Sequence, residues 1–254
     1  MTKTRKSLIV TGLEVSRSGR KIVHGIDLKI APGEVVAIMG PNGSGKSTLA
    51  NALMGHPLCE TAGRIVLDGR DLSGLAPDER SRAGLFLSGQ TQPDIPGVTL
   101  EGFLRAAVNA RRDGPLSAIR FHDLLVEKMK EIGFDAALAA RTMEGFSGGE
   151  KKRAEMLALA LLEPKYAVLD ETDSGLDVDA LKAVAKGIIL LRASGLGILI
   201  ITHYARLLNL VRPDRVHIML KGRLVHAGGK EVVGQVERGG YAKFSEDKPR
   251  RKPQ

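Results

Sequence analysis

The run Gly40-Pro41-Asn42-Gly43-Ser44-Gly45-Lys46-Ser47 limits what this chain can fold into more than any other feature. Its spacing is that of a phosphate-binding loop. Such a loop needs a buried strand to launch it and a helix to receive it. The loop's backbone N–H groups and the helix's positive end then converge on one anion. The sequence supplies both. The apolar run Val35–Met39 precedes the loop, and helix-forming residues Lys46–Met54 follow it. A glycine-rich turn without a ligand would not need either flank. Lys46 is expected to reach the terminal phosphates and Ser47 to ligate Mg²⁺. Gly40, Pro41, Asn42, Gly43, Ser44, Gly45 and Thr48 are expected to cradle the phosphates of ATP.

Such a loop needs an acid at the tip of a neighbouring strand. Tyr166-Ala167-Val168-Leu169-Asp170-Glu171 is an apolar run ending in two. Asp170 is expected to hold Mg²⁺ or its water shell. Glu171 is placed to polarise an attacking water as a general base. Thr202-His203 ends a further apolar run. A histidine there can meet a γ-phosphate, although a lone strand-end histidine is more often structural. Ser147-Gly148-Gly149-Glu150 has the spacing of a capping box and opens a helical run to Leu162. It serves as a plain helix cap or, with Lys151-Lys152-Arg153 behind it, as an anion-binding surface.

The rest of the chain bounds the setting. It has 254 residues, 43% hydrophobic and 26% charged, which is an ordinary globular composition. Cys59 is the one cysteine, so neither an internal disulfide nor a metal site of cysteines alone is possible. No apolar run reaches the roughly 18 residues of a membrane span. Gly187–Ile201 comes nearest and is broken by Arg192 and Ser194. Met1–Lys6 is basic, but the apolar run after it, Leu8–Val10, is too short for a signal peptide. A cytoplasmic location is the expectation. The formal charge is +9, with Lys248, Arg250, Arg251 and Lys252 near the end. No aromatic residues interleave with them, which favours a solvated tail over a nucleic-acid arm.

Strands alternating with helices predict an α/β sheet. Strands are expected at Val35–Met39, Arg64–Asp68, Tyr166–Asp170 and Gly197–Thr202. Arg215–Leu220 and Arg223–Ala227 flank Lys221-Gly222 as a hairpin. Between Thr99 and Leu162 the period is helical, with Phe121, Leu124, Leu125, Met129 and Ile132 on one face. Residues 90–160 therefore read as a helical insertion between core segments 1–89 and 161–240, with a tail over 241–254.

In order and spacing these motifs resemble the nucleotide-binding domain of ABC ATPases, over about Leu8 to Gly240. The resemblance implies a P-loop NTPase fold of ABC type with a helical subdomain. It makes Gly40–Ser47 Walker A, Gln90 the Q-loop glutamine (with Gln92 as an alternative) and Phe146–Glu150 the signature. Tyr166–Asp170 becomes Walker B, Ser174–Asp177 the D-loop and His203 the switch histidine. It implies catalytic roles for Lys46, Glu171 and His203, and a contact of Gln90 with nucleotide and Mg²⁺. It further implies a transient head-to-tail dimer in which Ser147 and Gly149 touch ATP held by the partner.

The chain departs from the family pattern at Phe146 and Glu150, where Leu and Gln are common. It carries Thr172-Asp173 where Pro-Thr is common, and Val15–Lys21 lacks the aromatic residue that usually stacks on adenine. With Asp94-Ile95-Pro96-Gly97-Val98 and Ile201-Thr202-His203-Tyr204, these departures resemble the SufC-type branch, the ATPases of the Suf iron–sulfur cluster assembly system. That resemblance implies SufB- and SufD-type scaffold partners, no nucleic acid and no direct membrane insertion. With only Cys59, any cluster would be built on a partner. The rival is an ATP-binding subunit of a membrane transporter, which shares every ATP-site motif. The same charges raise one more expectation, that Lys152 pairs with Glu171 and holds the base away from water in the lone subunit. A solvated charge cluster is the alternative.

Overall fold

The computed structural model describes residues 6–89 and 95–245. Gln90, Gln92 and Asp94, and the basic tail beyond residue 245, lie outside the described residues. The elements run β1 (Leu8–Arg17), β2 (Arg20–Ile30), β3 (Val35–Met39), α1 (Lys46–Met54), β4 (Glu60–Leu67) and β5 (Arg70–Asp71). Next come α2 (Pro77–Ala83), β6 (Leu85–Ser88), α3 (Leu100–Asn109), α4 (Ala118–Ile132), α5 (Ala136–Ala139) and α6 (Gly148–Leu162). The chain continues with β7 (Tyr166–Asp170), α7 (Val178–Ala193), β8 (Gly197–Thr202), α8 (Ala205–Val211), β9 (Arg215–Leu220), β10 (Arg223–Gly228) and α9 (Glu231–Gly239). A 3₁₀ turn at Ala242–Phe244 follows.

Two sheets form. One is antiparallel, in the order β2-β1-β4-β5. The other has the order β10-β9-β3-β8-β7-β6 and is parallel except for the β9–β10 hairpin. Strands β3, β7 and β8 are buried along their whole length. That is why they read as unbroken apolar runs: helices or a second sheet cover both faces. One face packs on α6 to α9, the other on α1 and the antiparallel sheet. A third cluster lies within α3 to α6, where Phe121, Leu125 and Met129 fill one stripe of α4.

Several expectations shift. β4 begins at Glu60, not Arg64, and Asp68 lies in the turn with φ 50°. Its first five residues are exposed and held by pairing to β1, so no buried residue marks them. No unbroken apolar run in the sequence spans β1, β2 or β6. The expected seam at Ala160 falls inside α6. That helix feeds Met156 and Leu159 to the main core and Ala154, Leu157 and Leu161 to the helical one.

The parallel register carries the consequence for function. Met39 is level with Thr202, and Asp170 with Ile201. The carboxyl ends of β3, β7 and β8 therefore open together, where α/β sheets place their ligands.

Candidate functional site

The loop after β3 is tightly constrained. A Cβ on Gly40 would fall 2.3 Å from the Met219 carbonyl oxygen, so only glycine fits. Gly45 caps α1 with φ 101°, in the left-handed region where glycine is unstrained, and offers no side-chain acceptor to the helix N–H groups. Those N–H groups point into the loop and suit an anion. Lys46 is buried, and its Nζ donates to the carbonyls of Gly40 at 2.8 Å and Pro41 at 2.9 Å. Burial lowers its pKa; Glu171 and Asp170 oppose that shift. A cavity of about 440 Å³ opens over the loop, lined by Asn42, Gly43, Gly45, Lys46, Ser47, Thr48, Glu171 and, from β2, Ile22. A larger one, about 730 Å³, lies at the opposite end of β7 and β8 around Lys165, Tyr166 and Leu196. Its Lys128 is taken up by Glu163 at 2.8 Å and Glu131 at 3.2 Å, and none of the loop chemistry reaches it.

Asp170 ends β7 only 3% exposed. Burial lifts its pKa to about 6, against a hydrogen bond from the Ser47 side chain that lowers it. Its Oδ1 is buried without a hydrogen-bond partner. A hydroxyl beside an orphaned carboxylate oxygen, at a phosphate loop, is a hard-oxygen donor set that fits Mg²⁺. Glu171 adopts φ 50° and donates its N–H to the Ile201 carbonyl at 2.8 Å. That turn brings its carboxylate to the cavity wall. His203 Nδ1 lies 3.2 Å from Glu171 Oε1, close enough for an ion pair but without hydrogen-bond alignment. The His203 ring leans on Tyr204, with centroids 3.8 Å apart.

Asp173, which the sequence showed only as a third acid, is fully buried. It accepts from Thr202 Oγ1 at 2.8 and 3.0 Å, and that oxygen accepts from the Tyr204 N–H at 2.9 Å. Asp173 thus fastens the segment after β7 to the tip of β8 that carries His203. A third acid after Walker B was the available signal; its partner, Thr202, is 29 residues away.

Lys152 does not meet Glu171. Its Nζ contacts both carboxylate oxygens of Glu155 at 3.1 Å and the Gly89 carbonyl at 3.4 Å. Ser88 Oγ donates to the same carboxylate at 2.6 Å. The cause is local. Positions three apart share one helix face, and a carboxylate 2% exposed needs a cation at once. The pair ties α6 to the end of β6, just before Gln90.

Ser147 and Gly149 stand apart from the cavity, with Ser147 exposed at the start of α6. The capping box forms: Ser147 Oγ accepts from the Glu150 N–H at 3.2 Å and Glu150 accepts from the Ser147 N–H at 2.7 Å. Glu150 is drawn down to a pKa of about 2 by that N–H and by Arg141 at 2.6 Å. Phe146 is buried in the helical core. Within one chain, then, the structure joins Gly40–Thr48, Asp170, Glu171 and His203, and leaves Ser147 and Gly149 elsewhere.

Comparison with known proteins agrees with this architecture. A family model described as ABC transporter matches residues 23–174. Vegetative protein 296 of Bacillus subtilis is 50% identical over 239 residues, covering 92% of each chain. A probable ABC transporter ATP-binding protein of Streptococcus pyogenes serotype M3 is 50% identical over 244 residues, covering 94% of this chain and 95% of that one. Among solved structures, the ADP conformation of an ATP-binding cassette of an ABC transporter superposes with a TM-score of 0.78 at 25% identity. That match spans 95% of this chain and 97% of the other.

Proposed function

The chain belongs to the ABC transporter family of ATP-binding proteins and is an ATPase, and we propose that it drives conformational change in a soluble SufB/SufD-type scaffold during iron–sulfur cluster assembly. In this reading Gly40–Thr48 hold the phosphates of ATP, and Ser47, Asp170 and Gln90 hold Mg²⁺. A magnesium ion there would spread the phosphate charge. Glu171 polarises the attacking water and His203 orients it against the γ-phosphate. Ser147 and Gly149 complete the site of a second copy, head to tail. Closure does work on a bound scaffold only because ATP binds the closed pair more tightly than the open chain.

The observation that carries the Suf assignment is Asp173. It stands where the wider family pattern has Thr, and its buried bond to Thr202 makes Leu169–Asp177 and Ile201–Tyr204 one unit. A cytoplasmic location is part of this reading; among the described residues no helix is long and apolar enough to cross a membrane. A groove of about 230 Å³ between β6 and α3, lined by Phe86, Leu87, Leu100, Phe103 and Leu104, is the docking surface in this reading. The second reading, a subunit of a membrane transporter, is favoured by the names of relatives, several of which are probable ABC transporter ATP-binding proteins. Purification of the tagged chain at native levels separates the two. Co-purified soluble scaffold proteins support the first reading, and membrane permeases replace it with the second.

A further inference from the structure

The hydrolytic pair has a neighbour that neither strand tip supplies. After α9 the chain turns at Gly240, with φ 62°, into Tyr241 and the 3₁₀ turn. Phe244 anchors this segment: it is 2% exposed, sits in the main core, and meets the His226 ring at 5.1 Å between centroids. Three residues earlier, the half-buried Tyr241 reaches back towards the phosphate loop. Its hydroxyl accepts from the Gly40 N–H and donates to the His203 carbonyl at 3.4 Å.

Two links thus meet at one oxygen. A phenol hydroxyl has a single proton to give, and here it goes to the backbone carbonyl of His203, the base's partner. Gly40 is held on its other side as well, by Lys46 Nζ on its carbonyl at 2.8 Å. His203 in turn lies 3.2 Å from Glu171. Tyr241, Ala242 and Ser245 face Pro41, Gly43 and Ser44 across a cavity of about 290 Å³, beside the Gly222 N–H that holds the Ser44 carbonyl at 2.9 Å.

We propose that Tyr241 is a positioning residue for ATP hydrolysis, fixing the separation between the phosphate loop and the His203–Glu171 pair through one shared hydroxyl. The proposal rests on the roles given to His203 and Glu171 above. It makes the segment after α9 part of the hydrolytic machinery rather than a trailing helix cap. Because Tyr241 touches the His203 backbone and not its ring, its effect on turnover is transmitted through where that ring sits.

The test is a double-mutant cycle of steady-state ATPase rates at saturating Mg-ATP and fixed chain concentration. Tyr241→Phe keeps the ring and removes only the hydroxyl. The expected result is a kcat lowered about fivefold, the scale of one hydrogen bond, with KM for ATP unchanged. In a His203→Ala background the same change is expected to have no further effect. Three results overturn the proposal. One is an unchanged kcat in Tyr241→Phe; another is an equal fold-loss in both backgrounds; the third is a rise in KM that accounts for the whole loss. Should His203→Ala itself keep full turnover, the roles assigned to the pair fail first, and the proposal falls with them.

Discussion

Asp170, Glu171 and Asp173 lie within four residues of one another, and the fold gives each a different neighbour. Asp170 faces the Ser47 hydroxyl, Glu171 faces His203, and Asp173 is shut away on Thr202. Only Glu171 lines the cavity over the loop. Glu171→Gln keeps shape and removes the basic oxygen. ATP binding by equilibrium titration is expected to persist while kcat falls at least about a hundredfold, the usual scale for a lost general base. Turnover near the wild-type rate would remove Glu171 from that role. A second residue-scale prediction concerns His217 on β9. Burial depresses its pKa from the usual 6.5 to about 4, helped by Arg215 and opposed by Glu34. The unfolded chain therefore binds a proton that the folded chain refuses, and stability is lost as pH falls from 6.5 towards 4. The full effect is about 3 kcal/mol. Urea midpoints of His217→Gln should show less loss than the wild type across that window. Parallel curves would mean that the imidazole titrates normally.

Among the elements, α6 carries the most. Its start is legible in the sequence, since Ser147 and Glu150 cap it by local chemistry alone. Ser147→Ala should cost about 1 kcal/mol in thermal or urea unfolding. Its next turn was not legible: the charges at 151–153 gave no sign that Lys152 would turn inward to Glu155. A salt bridge to Glu171 implies a faster basal ATPase in Lys152→Ala. The observed pairing implies instead a chain destabilised by about 3–5 kcal/mol, because a buried carboxylate loses its cation. Unfolding curves that match the wild type, with a raised ATPase rate, would restore the first arrangement. Strand legibility divides in the same way. β3, β7 and β8 are buried on both faces and stand out as apolar runs. β1, β2 and the first half of β4 expose one face or both, and their places are set by pairing, which a single sequence does not display.

At the scale of the whole molecule, the proposed function has one half of a site gathered at the phosphate loop and the other half, Ser147 and Gly149, presented away from it. The phosphate loop and the acid-bearing strand tips converge because β3, β7 and β8 are parallel neighbours. That much followed from the order of motifs. The positions of Ser147 on the helical side and of Tyr241 behind the loop did not, since both depend on long-range packing. A site divided in this way is complete when two copies face each other, and that is the claim to test. The direct measurement is sedimentation velocity of Glu171→Gln with Mg-ATP. Dimers are expected that form with ATP, dissociate without it, and are abolished when Ser147→Arg is added. Chains that stay monomeric at saturating ATP, or dimers indifferent to Ser147→Arg, would contradict the claim.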